Sequence, residues 1–85
     1  MEMTVNGAEW VLYQRDDCHL CDLALAELAS ARFPDFESVF IDDSDELEDA
    51  WGSVVPVLQH VASGDALYWP FTAAALRDFL EVHAG

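Results

Sequence analysis

The sequence predicts an α/β fold: a four-stranded mixed sheet flanked by helices in three layers, in the order β-α-β-α-β-β-α. Three observations carry this. The unbroken apolar run Trp10-Val11-Leu12-Tyr13 has the composition of a strand buried on both faces. An amphipathic segment follows it, and then a second β-favouring run; strand, helix, strand at this spacing is a right-handed crossover between parallel strands. Finally, two apolar runs flank Ser63-Gly64-Asp65, a hairpin-turn composition, so the last two strands are antiparallel. Four strands cannot bury both faces alone, and helices must cover them.

Each element has its own warrant. Met1 to Ala8 is a polar lead without periodicity. Strand one is Trp10 to Tyr13, and Gln14 to Asp17 is the polar loop after it. Helix one runs from about His19 to Phe33, with Leu20, Ala24, Leu28 and Ala31 as its apolar stripe and Leu25 beside it. Asp17 is its expected N-cap, Asp22 adds favourable charge in the first turn, and Pro34 stops it. Strand two is Phe36 to Ile41. In the acidic stretch Asp42 to Asp49, Asp43, Ser44 and Asp45 start a short helix that Gly52 ends. The stretch lacks the glycine and the twelfth-position glutamate of a calcium loop, and reads as a solvated face. Val54 to Val61 is strand three, and Ala66 to Trp69 is strand four. Thr72 caps a final helix that buries Leu76, Phe79 and Leu80.

Composition bounds the function. The 85 residues make one domain over 1–85, and 53 % of them are hydrophobic, which argues against disorder. The net charge is −14, with Arg15, Arg32 and Arg77 as the fixed cations. Such a surface repels nucleic acid and anionic membranes; it serves solubility or a basic protein partner. No apolar run is long enough to cross a membrane, and Met1 to Asn6 lacks the pattern of a secretory signal, so the expected compartment is cytoplasmic.

The two cysteines, Cys18 and Cys21, stand three apart where the first strand gives way to the first helix. Residues three apart on a helix share a face at about 5 Å, within reach of a disulfide. The first thiol meets the unpaired N–H groups and the positive end of the helix, which favour thiolate. A disulfide here closes a tiny loop and adds little stability, so its value is chemical. Asp16 and Asp17 oppose the thiolate by like charge.

The chain resembles the glutaredoxin-like branch of the thioredoxin fold, from Trp10 to Leu80. The residues that carry the resemblance are Leu12-Tyr13, Cys18-His19-Leu20-Cys21-Asp22, Ile41-Asp42, Trp51-Gly52, Val55-Pro56-Val57-Leu58, Gly64, Trp69-x-Phe71, Leu76 and Phe79-Leu80. C-H-L-C-D with V-P-V-L is similar to a small bacterial family of glutaredoxin-like proteins. The resemblance implies a thioredoxin-like fold, a cis peptide at Pro56 facing the dithiol, and a Val55 backbone exposed to an extended substrate. The chain differs from better-known relatives in having His19-Leu20 between its cysteines. It also has Gly64-Asp65 where glutaredoxins hold glutathione with a longer loop, Arg15 in place of a lysine, and no acid in strand one.

The expected activity is thiol-disulfide exchange, with Cys18 as nucleophile and Cys21 resolving. The expected substrate-binding residues are Val55, Pro56, Arg15 and His19. His19 is either a local cation and proton shuttle or a solvent-facing helix residue; Arg15 with the helix terminus is a candidate glutathione contact. The expectation is a monomer with no metal or resident cofactor, whose partner is a disulfide-bearing protein or glutathione as co-substrate. The alternative is a non-catalytic thioredoxin-fold adaptor, or a zinc or iron–sulfur module completed by outside ligands.

Overall fold

The computed structural model describes residues 8–83, and the polar lead over 1–7 lies outside them. The elements are β1 (Trp10–Gln14), α1 (His19–Ser30), β2 (Glu37–Phe40), a 3-10 turn (Ile41–Asp43), α2 (Asp45–Trp51), β3 (Val57–His60), β4 (Ala66–Tyr68) and α3 (Ala73–His83). The sheet order is β2-β1-β3-β4, with β1 parallel to β2 and β3 antiparallel to both its neighbours. The α/β class and the mixed four-stranded sheet are those the sequence predicts.

Alternation along the strands distributes the layers. Trp10 and Leu12 of β1 and Leu58 of β3 form one buried cluster with Ala24, Leu28 and Ala31 from α1 and its C-cap, and with Phe71 and Leu76. This puts α1 and α3 on one face. Tyr13 faces the other way and stacks on Trp51 at 4.8 Å, which puts the end of α2 over the second face. The Tyr13 hydroxyl donates to Gln59 Oε1, and partial burial holds its pKa above the ordinary phenol value.

Several boundaries differ from the sequence reading, each for a local reason. The N-cap of α1 is Cys18, not Asp17; Asp17 takes a left-handed conformation at φ 57° and turns the chain into the helix. The buried arc of α1 is Cys21, Ala24 and Leu28, continued by Ala31, while Leu20 and Leu25 are exposed at 46 % and 36 %. The helix ends before Phe33 in a Schellman turn. Arg32 is left-handed at φ 54°, its N–H reaches Ala29 O, and Phe33 N–H reaches Leu28 O. Strand two stops at Phe40 because Ile41 enters the 3-10 turn, where it is fully buried. Strand three starts at Val57, after Val54 and Val55 close a turn onto Trp51 O. Strand four ends at Tyr68, so Trp69 lies outside it, and a cis peptide joins Trp69 to Pro70.

The caps of the other helices agree with expectation. Ser44 Oγ accepts from Leu47 N–H at the start of α2, and Thr72 Oγ1 accepts from Ala75 N–H at the start of α3. Glu27 of α1 also reaches across, its Oε1 accepting from Ala73 N–H, so one helix helps to cap the next. Gly52 closes α2 where a Cβ would collide with the Glu48 carbonyl. At the far end of the sheet, His60 and His83 stack at 4.3 Å against Trp10, with Glu9 and Asp65 beside their ring nitrogens.

Candidate functional site

β1 delivers the chain to the site. Its last residue, Gln14, is buried and donates from Nε2 to Ser38 Oγ on β2, which fixes the exit of the strand. Arg15, Asp16 and Asp17 then cross to α1. Arg15 donates from Nη1 and Nη2 to the Glu48 carboxylate and from Nη2 to Gly52 O, and it faces Asp42 at 3.5 Å. Asp42 Oδ2 also accepts from Asp16 N–H at 2.6 Å. Arg15 and Asp16 therefore fasten the start of the loop to α2 and the 3-10 turn.

The hydrogen bond from Arg15 holds the Glu48 carboxyl below its ordinary pKa, and the same bond holds the guanidinium above its own. Both side chains keep over a third of their surface in water (37 % and 36 %), so solvent screens the pair. Its value lies in position: it holds the loop that precedes Cys18.

Cys18 and Cys21 are joined as a disulfide, with Cα atoms 5.2 Å apart. Cys18 is extended, at φ −117° and ψ 110°, and its Sγ accepts the Cys21 N–H at 3.1 Å. A sulfur thus fills the capping role usually taken by a hydroxyl or carboxylate oxygen. Cys18 is partly exposed, whereas Cys21 is 2 % exposed on the buried face of α1. Cys18 opens into a cleft of about 530 Å³ shared with Asp16, Asp17, His19, Leu25 and Phe40.

The structure brings Cys18, Cys21, His19 and Arg15 to this cleft. His19 is exposed. Val55-Pro56 is a cis peptide, as the resemblance implies, and Pro56 is buried. Val57 pairs with Tyr13, so Pro56 lies at the end of the sheet from which β1 runs into the dithiol loop. One expectation is narrowed here. Val55 N–H is already bonded to Trp51 O at 3.0 Å, and the next residue is a proline with no N–H. An incoming strand would find the Val55 carbonyl rather than a donor–acceptor pair. Sequence reading missed Phe40 and Leu25 as cleft walls, because their runs read as strand and helix core. It also missed Glu48 and Asp42 as the partners of Arg15. Among the described residues, no three His, Cys, Asp or Glu side chains converge to hold a metal ion.

Comparison with known proteins places this geometry. No curated protein matches the chain. Among solved structures it is similar to the X-ray structure of protein XcR50 from X. campestris, at 55 % identity and a TM-score of 0.82 over 86 % of this chain and 96 % of that one. The solution structure of the same target matches at 54 % identity and a TM-score of 0.81, over 87 % and 94 %. Protein Ne2328 from Nitrosomonas europaea matches at 25 % identity and a TM-score of 0.70, over 93 % and 98 %. A family described as "Glutaredoxin-like domain (DUF836)" matches residues 9–81, a span that takes in the Cys18–Cys21 pair, both cis prolines, α1, α2 and most of α3. The chain belongs to the glutaredoxin-like domain family.

Proposed function

We propose that this protein is a thiol-disulfide oxidoreductase in which Cys18 attacks and Cys21 resolves. The observation that carries this reading is the asymmetry of the pair: Cys18 caps the helix and is partly exposed, while Cys21, which also borders the cleft, is 2 % exposed. In the reduced protein, the Cys18 thiolate attacks one sulfur of a substrate disulfide. An S–S bond forms to Cys18, the substrate S–S bond breaks, and the first substrate thiolate leaves and takes up a proton. Cys21 then loses its proton and attacks Cys18 Sγ, releasing the second substrate thiolate. Starting from the Cys18 thiolate, the protein gives two electrons and the Cys21 proton, and is left with the Cys18–Cys21 disulfide.

The other residues serve this exchange in different ways. The N-cap position stabilises the attacking thiolate through the Cys21 N–H and the helix terminus. The Val55 carbonyl, at the cis proline, is an acceptor for an extended substrate backbone. His19, exposed on the cleft, exchanges protons with the departing thiol. Arg15 acts as a positioning residue through Glu48 and Gly52.

Single-cysteine variants test the assignment. With Cys21→Ser, the remaining Cys18 alkylates about tenfold or more faster at neutral pH than Cys21 does in the Cys18→Ser variant. Cys21→Ser also accumulates a mixed disulfide with a substrate, and Cys18→Ser does not. Equal alkylation rates with no trapped adduct in either variant would sink the reading.

A further inference from the structure

The cleft beside Cys18 has two kinds of wall. Asp16, Asp17 and Asp22 line it and are exposed, while Leu25 and Phe40, 36 % and 48 % exposed, give it an apolar side. A neighbouring depression of about 330 Å³ shares Asp16 and Phe40 and adds Asp42 and Asp43. Arg15 lines the cleft, but Glu48 and Asp42 both answer its charge from within the protein. The other two arginines, Arg32 and Arg77, line a different cavity beside Leu80. Approach to Cys18 therefore runs between carboxylates and past an aromatic ring, with no uncompensated guanidinium to meet an anion.

One class of side chain complements such walls. Lys and Arg combine an apolar stem with a cationic head. The stem can lie along Leu25 and Phe40, the head can meet Asp16, Asp17 or Asp22, and the ring face of Phe40 adds cation–π attraction. An anionic disulfide is repelled by the same carboxylates over the range of the Debye length. Each half of glutathione disulfide bears two carboxylates and one ammonium, and so meets that repulsion. We propose that the cleft selects protein disulfides whose cysteine lies in a basic segment and disfavours glutathione. This inference rests on the oxidoreductase reading and adds a substrate class to it.

The test uses the reduced, full-length protein and four disulfides. Two are synthetic peptides alike except for Lys or Glu beside the cysteine; the others are glutathione disulfide and the uncharged hydroxyethyl disulfide. At about 10 mM ionic strength, the Lys peptide should be reduced about tenfold or more faster than the Glu peptide, with glutathione disulfide as slow as the latter. By about 0.5 M salt the ratio should fall toward one. The double variant Asp16→Asn/Asp22→Asn should cut the low-salt ratio several-fold, which separates the cleft from the net charge of the whole surface. Phe40→Ala should slow the Lys peptide more than hydroxyethyl disulfide. If hydroxyethyl disulfide is reduced but the two peptides react alike, or the ratio survives both aspartate changes, the selectivity is overturned and the oxidoreductase reading stands. If no disulfide is reduced, both fall.

Discussion

At the scale of single residues, the site is a small set of side chains with divided roles. Arg15 shows how far a residue's role can depart from its sequence setting. As the one fixed cation beside the dithiol, it reads as an anion contact; in the fold it is the clasp between the loop and α2. Because Arg15 holds the Glu48 carboxyl below its ordinary pKa, the pair stabilises the fold above the ordinary carboxylate range. That contribution is lost as pH falls through the lowered Glu48 value. Arg15→Met should therefore return the Glu48 titration toward the ordinary range and remove this part of the acid-limb dependence of stability. A carboxyl NMR titration with unfolding curves at several pH values checks it, and an unmoved Glu48 titration would contradict the clasp. The cysteines were legible in the sequence because their spacing and place are local facts. The partners of Arg15 were not, since Glu48 lies 33 residues away in an acidic run where several carboxylates look alike. The same holds for His60 and His83, whose stacking depends on α3 ending beside β3.

Among the elements, α1 bears most of the load, since its start holds the dithiol and its body fills the core. Leu28 is 2 % exposed among Trp10, Leu12, Leu58 and Leu76, whereas Leu23, five residues earlier, is 41 % exposed. Leu28→Ala should cost about 2–5 kcal/mol, through lost burial and the cavity left behind. Leu23→Ala should change stability by about 0.5 kcal/mol or less. Urea unfolding of both variants measures the contrast, and equal losses would mean that the buried arc is misplaced. Element order, sheet type and most core positions follow from periodicity and turn composition alone. Boundaries were less legible, because caps depend on backbone dihedrals. Asp17 belongs to a type that tolerates the left-handed region and Arg32 does not, and neither type alone fixes that conformation, yet those two positions decide where α1 begins and ends. Pro34 marked only the latest place at which the helix could stop.

For the molecule as a whole, charge is the dominant property. Seventeen acidic residues against three arginines leave self-repulsion throughout the surface. Raising salt from about 10 mM to about 0.5 M should raise the thermal midpoint, because screening relieves more repulsion than attraction. A midpoint that falls with salt would mean that the Arg15 cluster outweighs the rest. The bond from Cys21 N–H to Cys18 Sγ has a reach beyond its size. One sulfur atom both begins the helix and, in the proposed exchange, takes part in the chemistry. When it bears a thiolate charge, the cap strengthens, since a charged acceptor makes the stronger bond. In the proposed exchange, reduction replaces the S–S bond by this charged cap, and by thermodynamic reciprocity whatever strengthens the cap in the reduced state alone also favours the dithiol. If the protein exchanges thiols as proposed, substitutions that change this bond in one redox state more than in the other will shift it between donor and acceptor of electrons. Helix capping and electron affinity would then be linked through a single hydrogen bond.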